Sequence, residues 1–174
     1  TAGGKDRDRI TNETKKLPFN LLLEQLESPS AYLRERAAVA LGESEDLRAV
    51  KPLIRALVDN EPVVREHAAM ALGKLEDKRA ASSLIALLND ENAVVREHAA
   101  TALGMLEDRR AVRRLCDVLL NDPDPVVREH AATALGYIGD NRAYESLRQA
   151  LESDSNMVVR EHAFSALRKL ESGR

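Results

Sequence analysis

The four histidines of this chain, His67, His98, His130 and His162, each close the pentapeptide Val-Val-Arg-Glu-His, and each is followed by Ala. Each is therefore preceded by a carboxylate: Glu66, Glu97, Glu129 and Glu161. Imidazole and carboxylate together suit Zn, Fe, Ni or Cu better than Mg or Ca, and two His with carboxylates and open positions are the ligand set of non-haem iron. Packed helices lie roughly 8–10 Å apart, so a His on one and a Glu on the next can converge on one ion. Neighbouring residues on a single helix diverge by about 100°, which works against a Glu and its own His sharing an ion. Two plainer readings stand beside the metal one. The pairs form a hydrogen-bonded polar stripe, each Glu meeting the His of the next unit or an Arg one turn away. Alternatively, the stripe contacts a partner. A histidine beside carboxylates is favoured in its charged form, so the stripe is expected to change between mildly acidic and neutral pH.

The histidines are 31, 32 and 32 residues apart. A period in this range signals a solenoid of stacked helical units. Residues 46–75 give the pattern. Asp46 is an N-cap, and Val50, Leu53, Ile54 and Leu57 form the apolar stripe of a first helix, A. Pro52 is expected to kink or loosen its first turn. Pro62 suits the opening of a second helix, B, whose buried face is Val64, Ala68, Ala71, Leu72 and Leu75. Gly73 recurs as Gly42, Gly104 and Gly136, which predicts a tight crossing with a neighbouring helix. The B helices are expected near 29–42, 62–75, 93–106, 125–138 and 157–170, and the A helices near 18–27, 47–58, 78–89, 109–120 and 141–152. Five pairs result, in repeats at about 17–43, 46–75, 77–106, 108–138 and 140–170, behind a polar tail at 1–16. Arg34, Arg65, Arg96, Arg128 and Arg160 share one position, and Asp46, Asp77, Asp108 and Asp140 another, so a charge-assisted ladder between them is expected. The end units depart from the pattern, with Arg36 for His and Arg168 for Gly, as solenoid caps do.

Composition narrows the function. Charged residues are 32% of the chain, interspersed in sign, with a formal net charge of −3, so a nucleic-acid partner is not expected. Aromatics are 3% with no Trp, which leaves little to stack bases. The single cysteine, Cys116, fits a reducing cytoplasm and reads as a packing residue at the edge of a buried face. No apolar run is long enough for a membrane span. There is no Ser-His-Asp order, phosphate loop or CxxC motif.

The stretch Val-Val-Arg-Glu-His-Ala-Ala-x-Ala-Leu-Gly-x-Leu-Glu-Asp-x-Arg-Ala resembles the short HEAT-like repeat of phycobilisome lyase subunits, over roughly residues 18–170. The resemblance implies an all-α, right-handed αα-superhelix of five helix pairs with the B helices lining the concave face. It implies that the positions of Val63, Glu66, His67, Met70 and Lys74 point into that groove. The expected groove contacts are Glu66, His67, Met70, Glu97, His98, Met105, Glu129, His130, Tyr137, Glu161 and His162. The repeats are also similar to those of deoxyhypusine hydroxylase, which holds a di-iron centre through His-Glu pairs on facing helices; here the order is Glu then His. The favoured reading is a non-enzymatic scaffold that binds a protein or peptide and carries no cofactor. The alternatives are a metal protein using the four Glu-His pairs with Fe or Zn, and a bilin-lyase-like chaperone.

Overall fold

A computed structural model describes residues 17–172, and the expected 1–16 tail lies outside them. The described residues form ten α-helices and no strand. The odd-numbered helices are the A members of each pair: α1 (Phe19–Leu26), α3 (Val50–Ala56), α5 (Ala81–Leu87), α7 (Val112–Asn121) and α9 (Tyr144–Ser153). The even-numbered helices are the B members: α2 (Ala31–Gly42), α4 (Pro62–Lys74), α6 (Ala93–Leu106), α8 (Pro125–Ile138) and α10 (Met157–Ser172).

Local chemistry sets each boundary. Asp46, Asp77, Asp108 and Asp140 each accept the backbone N–H two residues on, starting a 3-10 turn of three residues that leads into the A helix. This corrects the reading of Pro52. The 3-10 turn occurs in every repeat from the second onward, three of which have no proline at the equivalent position. Pro52 falls in the first turn of α3, where a missing N–H costs nothing within the helix. Helix α6 is capped by the Asn92 side chain and α8 by Asp124, while Pro62 and Pro125 open α4 and α8.

One continuous core of Leu, Val and Ala runs the length of the stack. Cys116 packs partly buried against it, as expected. The glycines set how closely successive B helices approach. A Cβ on Gly104 would lie 3.0 Å from the Ala134 Cα, and one on Gly42 only 2.6 Å from the Ala71 Cα. Successive B helices therefore approach through Gly-Ala contacts and pack extensively, whereas successive A helices touch far less. The layer with the closer spacing is the inner layer of the curve, so the even-numbered helices line the concave side.

Two ladders of Arg and Asp tie the repeats together, and their pairing differs from expectation. Arg34, Arg65, Arg96 and Arg128 do not reach Asp46 and its equivalents. Each makes a two-point contact with the turn aspartate of the next repeat: Asp59, Asp90, Asp122 and Asp154, at 2.7–2.9 Å. The remaining guanidinium nitrogen bonds backbone carbonyls of its own turn, for example Arg65 to Asp59 at 2.8 Å. Each turn aspartate thus takes one arginine on its carboxylate and another on its carbonyl. The second ladder pairs Asp46, Asp77, Asp108 and Asp140 with Arg48, Arg79, Arg110 and Arg142, two residues on. Arg110 continues to the Lys78 carbonyl at 2.9 Å and Arg142 to that of Arg109 at 3.1 Å, one repeat back.

Candidate functional site

The inner face is read off the B helices. In α4, Val64, Ala68, Ala69, Ala71, Leu72 and Gly73 are buried, which leaves Val63, Glu66, His67, Met70 and Lys74 as the open stripe. The same five positions stay open or half-open in α6, α8 and α10. All the residues expected in the groove therefore lie on one surface.

The histidines divide into two states. His67 Nδ1 bonds the carbonyl of Val63 at 2.8 Å, and His98 Nδ1 bonds that of Val94 at 2.8 Å, each four residues back on its own helix. His130 Nδ1 instead meets the hydroxyl of Thr101 at 2.8 Å, and His162 Nδ1 that of Thr133 at 2.7 Å, each on the preceding repeat. The cause is the neighbour. Facing His67 and His98 are Val39 and Met70, which offer no strong partner; facing His130 and His162 are threonines. Each hydroxyl also lies 3.1 Å from a carbonyl of its own helix, Glu97 or Glu129. With that geometry His130 Nε2 stands 3.4 Å from Glu97 and His162 Nε2 3.4 Å from Glu129. His67 lies 3.8 Å from Glu66 and 4.0 Å from Glu35. The expected pairing of each Glu with the next His is thus present at two junctions through threonine, and His67 takes a looser form of it. Nothing in the histidine spacing shows the role of Thr101 and Thr133; the signal was their placement three residues before Gly104 and Gly136.

The Glu-His pairs do not assemble a metal centre. Among the described residues no group of three or more His, Cys, Asp or Glu converges closely enough to hold an ion. Among the described residues His130 and His162 each meet one carboxylate, His67 meets two loosely, and His98 meets only the Val94 carbonyl. The residues as placed do not fit a di-iron or zinc site.

Apolar side chains interrupt the polar row. Val94, Met105, Val126 and Tyr137 are 43%, 42%, 44% and 57% exposed. Between α6 and α8, Met105 and Tyr137 border a hollow of about 470 Å3 lined also by Thr101, His130 and Thr133. At its far edge the Lys169 ammonium lies 3.9 Å from the Tyr137 ring centroid. The cation and the ring quadrupole attract.

Stacked helix pairs with a polar and apolar inner stripe define an α-solenoid with an open groove. HEAT repeats match over residues 19–103 and 82–168, and the chain belongs to the HEAT repeat family. It is similar to a structure of the complex of CpcE and CpcF of phycocyanin lyase from Nostoc sp., with 32% identity, a TM-score of 0.80, and coverage of 90% of this chain and 66% of that one. The chain thus spans about two thirds of that relative. A designed armadillo repeat protein in complex with the peptide (KR)4 superposes at TM-score 0.68 with 22% identity, covering 86% of this chain and 80% of that one. Human deoxyhypusine hydroxylase, in complex with glycerol, superposes at 0.50 with 20% identity, covering 97% and 96%. These last two share the fold alone. No curated protein matches. Among the described residues no helix is long and apolar enough to cross a membrane.

Proposed function

We propose that the chain is a binding scaffold that holds an extended segment of a protein partner along the inner face of α2, α4, α6, α8 and α10. One observation carries this: Val94, Met105, Val126 and Tyr137 stand open on the concave side, between rows of Glu and His. Exposed apolar surface rimmed by polar groups marks interaction sites. The stacked helices are rigid, so binding costs the scaffold little ordering.

Substitution tests the reading. Changing Met105, Val126 and Tyr137 together to Ala removes apolar contacts without touching the core. Loss of binding to peptides selected on the wild-type protein, with an unaltered helical circular dichroism spectrum, is the expected result. Binding within twofold of wild type would reject the groove.

The similarity to a phycocyanin lyase complex favours a second reading, in which the partner is a bilin-carrying protein or the bilin itself. Mixing the protein with free phycocyanobilin then gives an induced circular dichroism band in the visible. An unchanged bilin spectrum at excess protein removes this reading and leaves the first intact. The absence of a converging ligand set gives a metal-dependent activity no support.

A further inference from the structure

The hollow between α6 and α8 differs from the rest of the groove. Its floor is Gly104 and Ala134, which have almost no side chain, and its walls include Met105 and Tyr137. At the junctions on either side the equivalent floor is more closely covered. The Met105 sulfur lies 3.1 Å from where a Cβ on Gly73 would stand, and the Lys169 Cδ 3.6 Å from one on Gly136. Tyr137 approaches Gly104 only at 3.8 Å, and the hollow stays open.

Its edge is anionic. Glu76 and Glu107 both line it, and no lysine or arginine does. Neither glutamate side chain has a hydrogen-bond or ion-pair partner among the described residues. The Lys169 ammonium rests on the Tyr137 ring but does not line the hollow, so it meets the ring from outside. The wider stripe has the same sign. The glutamates of the five Glu-His or Glu-Arg pairs, with Glu43, make six carboxylates against three cations, Arg36, Lys74 and Lys169. Lys74 is itself drawn to Glu43, at 3.9 Å.

From this charge and shape we infer that the hollow receives a lysine or arginine side chain of the bound segment. The partner is therefore a basic peptide rather than an acidic one. The aliphatic stem lies along Met105 and Tyr137, and the charged head reaches Glu76 and Glu107. Such a stem-and-head fit is how long cationic side chains cover apolar surface while keeping their charge solvated or paired. Anionic partners meet repulsion along the whole stripe. This inference rests on the groove reading and adds the partner's chemistry to it.

Fluorescence anisotropy at low ionic strength tests it with labelled hexa-arginine and hexaglutamate peptides. Hexa-arginine is expected to bind the wild-type chain and hexaglutamate not to. The double variant Glu76→Gln/Glu107→Gln and the single variant Tyr137→Ala should each weaken hexa-arginine about tenfold. The control Glu24→Gln/Glu27→Gln removes the same charge from exposed positions on and just after α1 and should leave binding within twofold. Equal weakening by both double variants would show diffuse charge attraction and overturn the hollow. So would no binding of hexa-arginine at all. If uncharged peptides bind and protect the even-numbered helices from hydrogen exchange while hexa-arginine does not bind, the cation site fails and the groove survives. Protection confined to the odd-numbered helices by every bound peptide sinks both.

Discussion

A single hydroxyl decides where a histidine of the groove points. His130 and His162 lean onto the preceding repeat because Thr101 and Thr133 stand there, while His67 and His98 turn back to their own helix. Thr101→Val should send the His130 ring to the Val126 carbonyl, as His98 goes to Val94. A crystal structure of the variant, or the imidazole nitrogen shifts, will show it; a ring left beside residue 101 contradicts the mechanism. The arginine ladder gives a second residue-level test. The Arg65 and Asp90 side chains are 9% and 8% exposed, so Arg65→Ala leaves a carboxylate largely buried and unpaired, at a cost of about 3 kcal/mol. Arg160 bonds only the carbonyls of Asp154 and Ser155 among the described residues, so Arg160→Ala should cost clearly less in the same urea titration. Burial alone would raise the carboxyls of Asp59 and Asp90, but the paired arginines and the backbone N–H groups outweigh it and hold them below their ordinary value. The side-chain and backbone hydrogen bonds of Arg142 bring Asp140 from 3.8 to about 2. A carboxyl lowered on folding stabilises the fold above its unfolded pKa, and that stabilisation is lost as pH falls through the folded value. The melting temperature should therefore drop steeply as pH falls from about 4 to about 2. A melting temperature that holds through that window would contradict the ladders. The recurrence of these arginines was plain in the sequence. Their partners were not, because Asp59, Asp90, Asp122 and Asp154 lie 25 or 26 residues away, in the turn of the following repeat.

At the scale of the element, helical period and small residues decided most of the outcome. The expected B helix at 93–106 is observed as Ala93–Leu106, and that at 125–138 as Pro125–Ile138. Pro, Asp and Asn at their starts make those boundaries readable. The A helices were less legible, because a continuous apolar stripe does not distinguish a 3-10 turn from the α-helix that follows it. Gly73 and its equivalents predicted close crossings, and the structure turns this into a measurable conflict. Alanine at Gly104 gains about 1 kcal/mol in helix propensity, yet its Cβ meets the Ala134 backbone at 3.0 Å. Overpacking costs about 1–3 kcal/mol, so Gly104→Ala should be net destabilising by about 1 kcal/mol. Chemical denaturation showing a more stable variant would remove the close-approach argument. At the ends of α2, α4 and α6 the opposite chance arises. Glu45, Glu76 and Glu107 hold left-handed backbone, with φ of 55°, 51° and 47°, where the fourth repeat has Gly139 at 65°. Glu45→Gly relieves that strain and should stabilise by up to about 1 kcal/mol, well away from the hollow.

Across the whole molecule, repetition settles the architecture and blurs the function. Four identical pentapeptides announce a solenoid, and they also suggest a row of identical sites. The structure breaks that symmetry. Thr101 and Thr133 stand where the other repeats have Val39, Met70 and Ser165, and Met105 and Tyr137 where they have Glu43, Lys74 and Lys169; these four line the hollow between α6 and α8, over Gly104 and Ala134. Glu66, His67, Glu161 and His162 belong to the same stripe but not to that hollow. Every Glu-His pair carries equal weight in the sequence, because spacing alone carries no information about which neighbours fill the floor between helices. The central claim is that the concave face of the even-numbered helices is the binding surface. Hydrogen exchange with and without a saturating bound peptide tests it most directly, since amide protection reports which backbone segments binding stabilises. Slowed exchange concentrated in α6, α8 and the residues after them, with α3, α5 and α7 unchanged, is the predicted result. Protection confined to α3, α5 and α7 would contradict it.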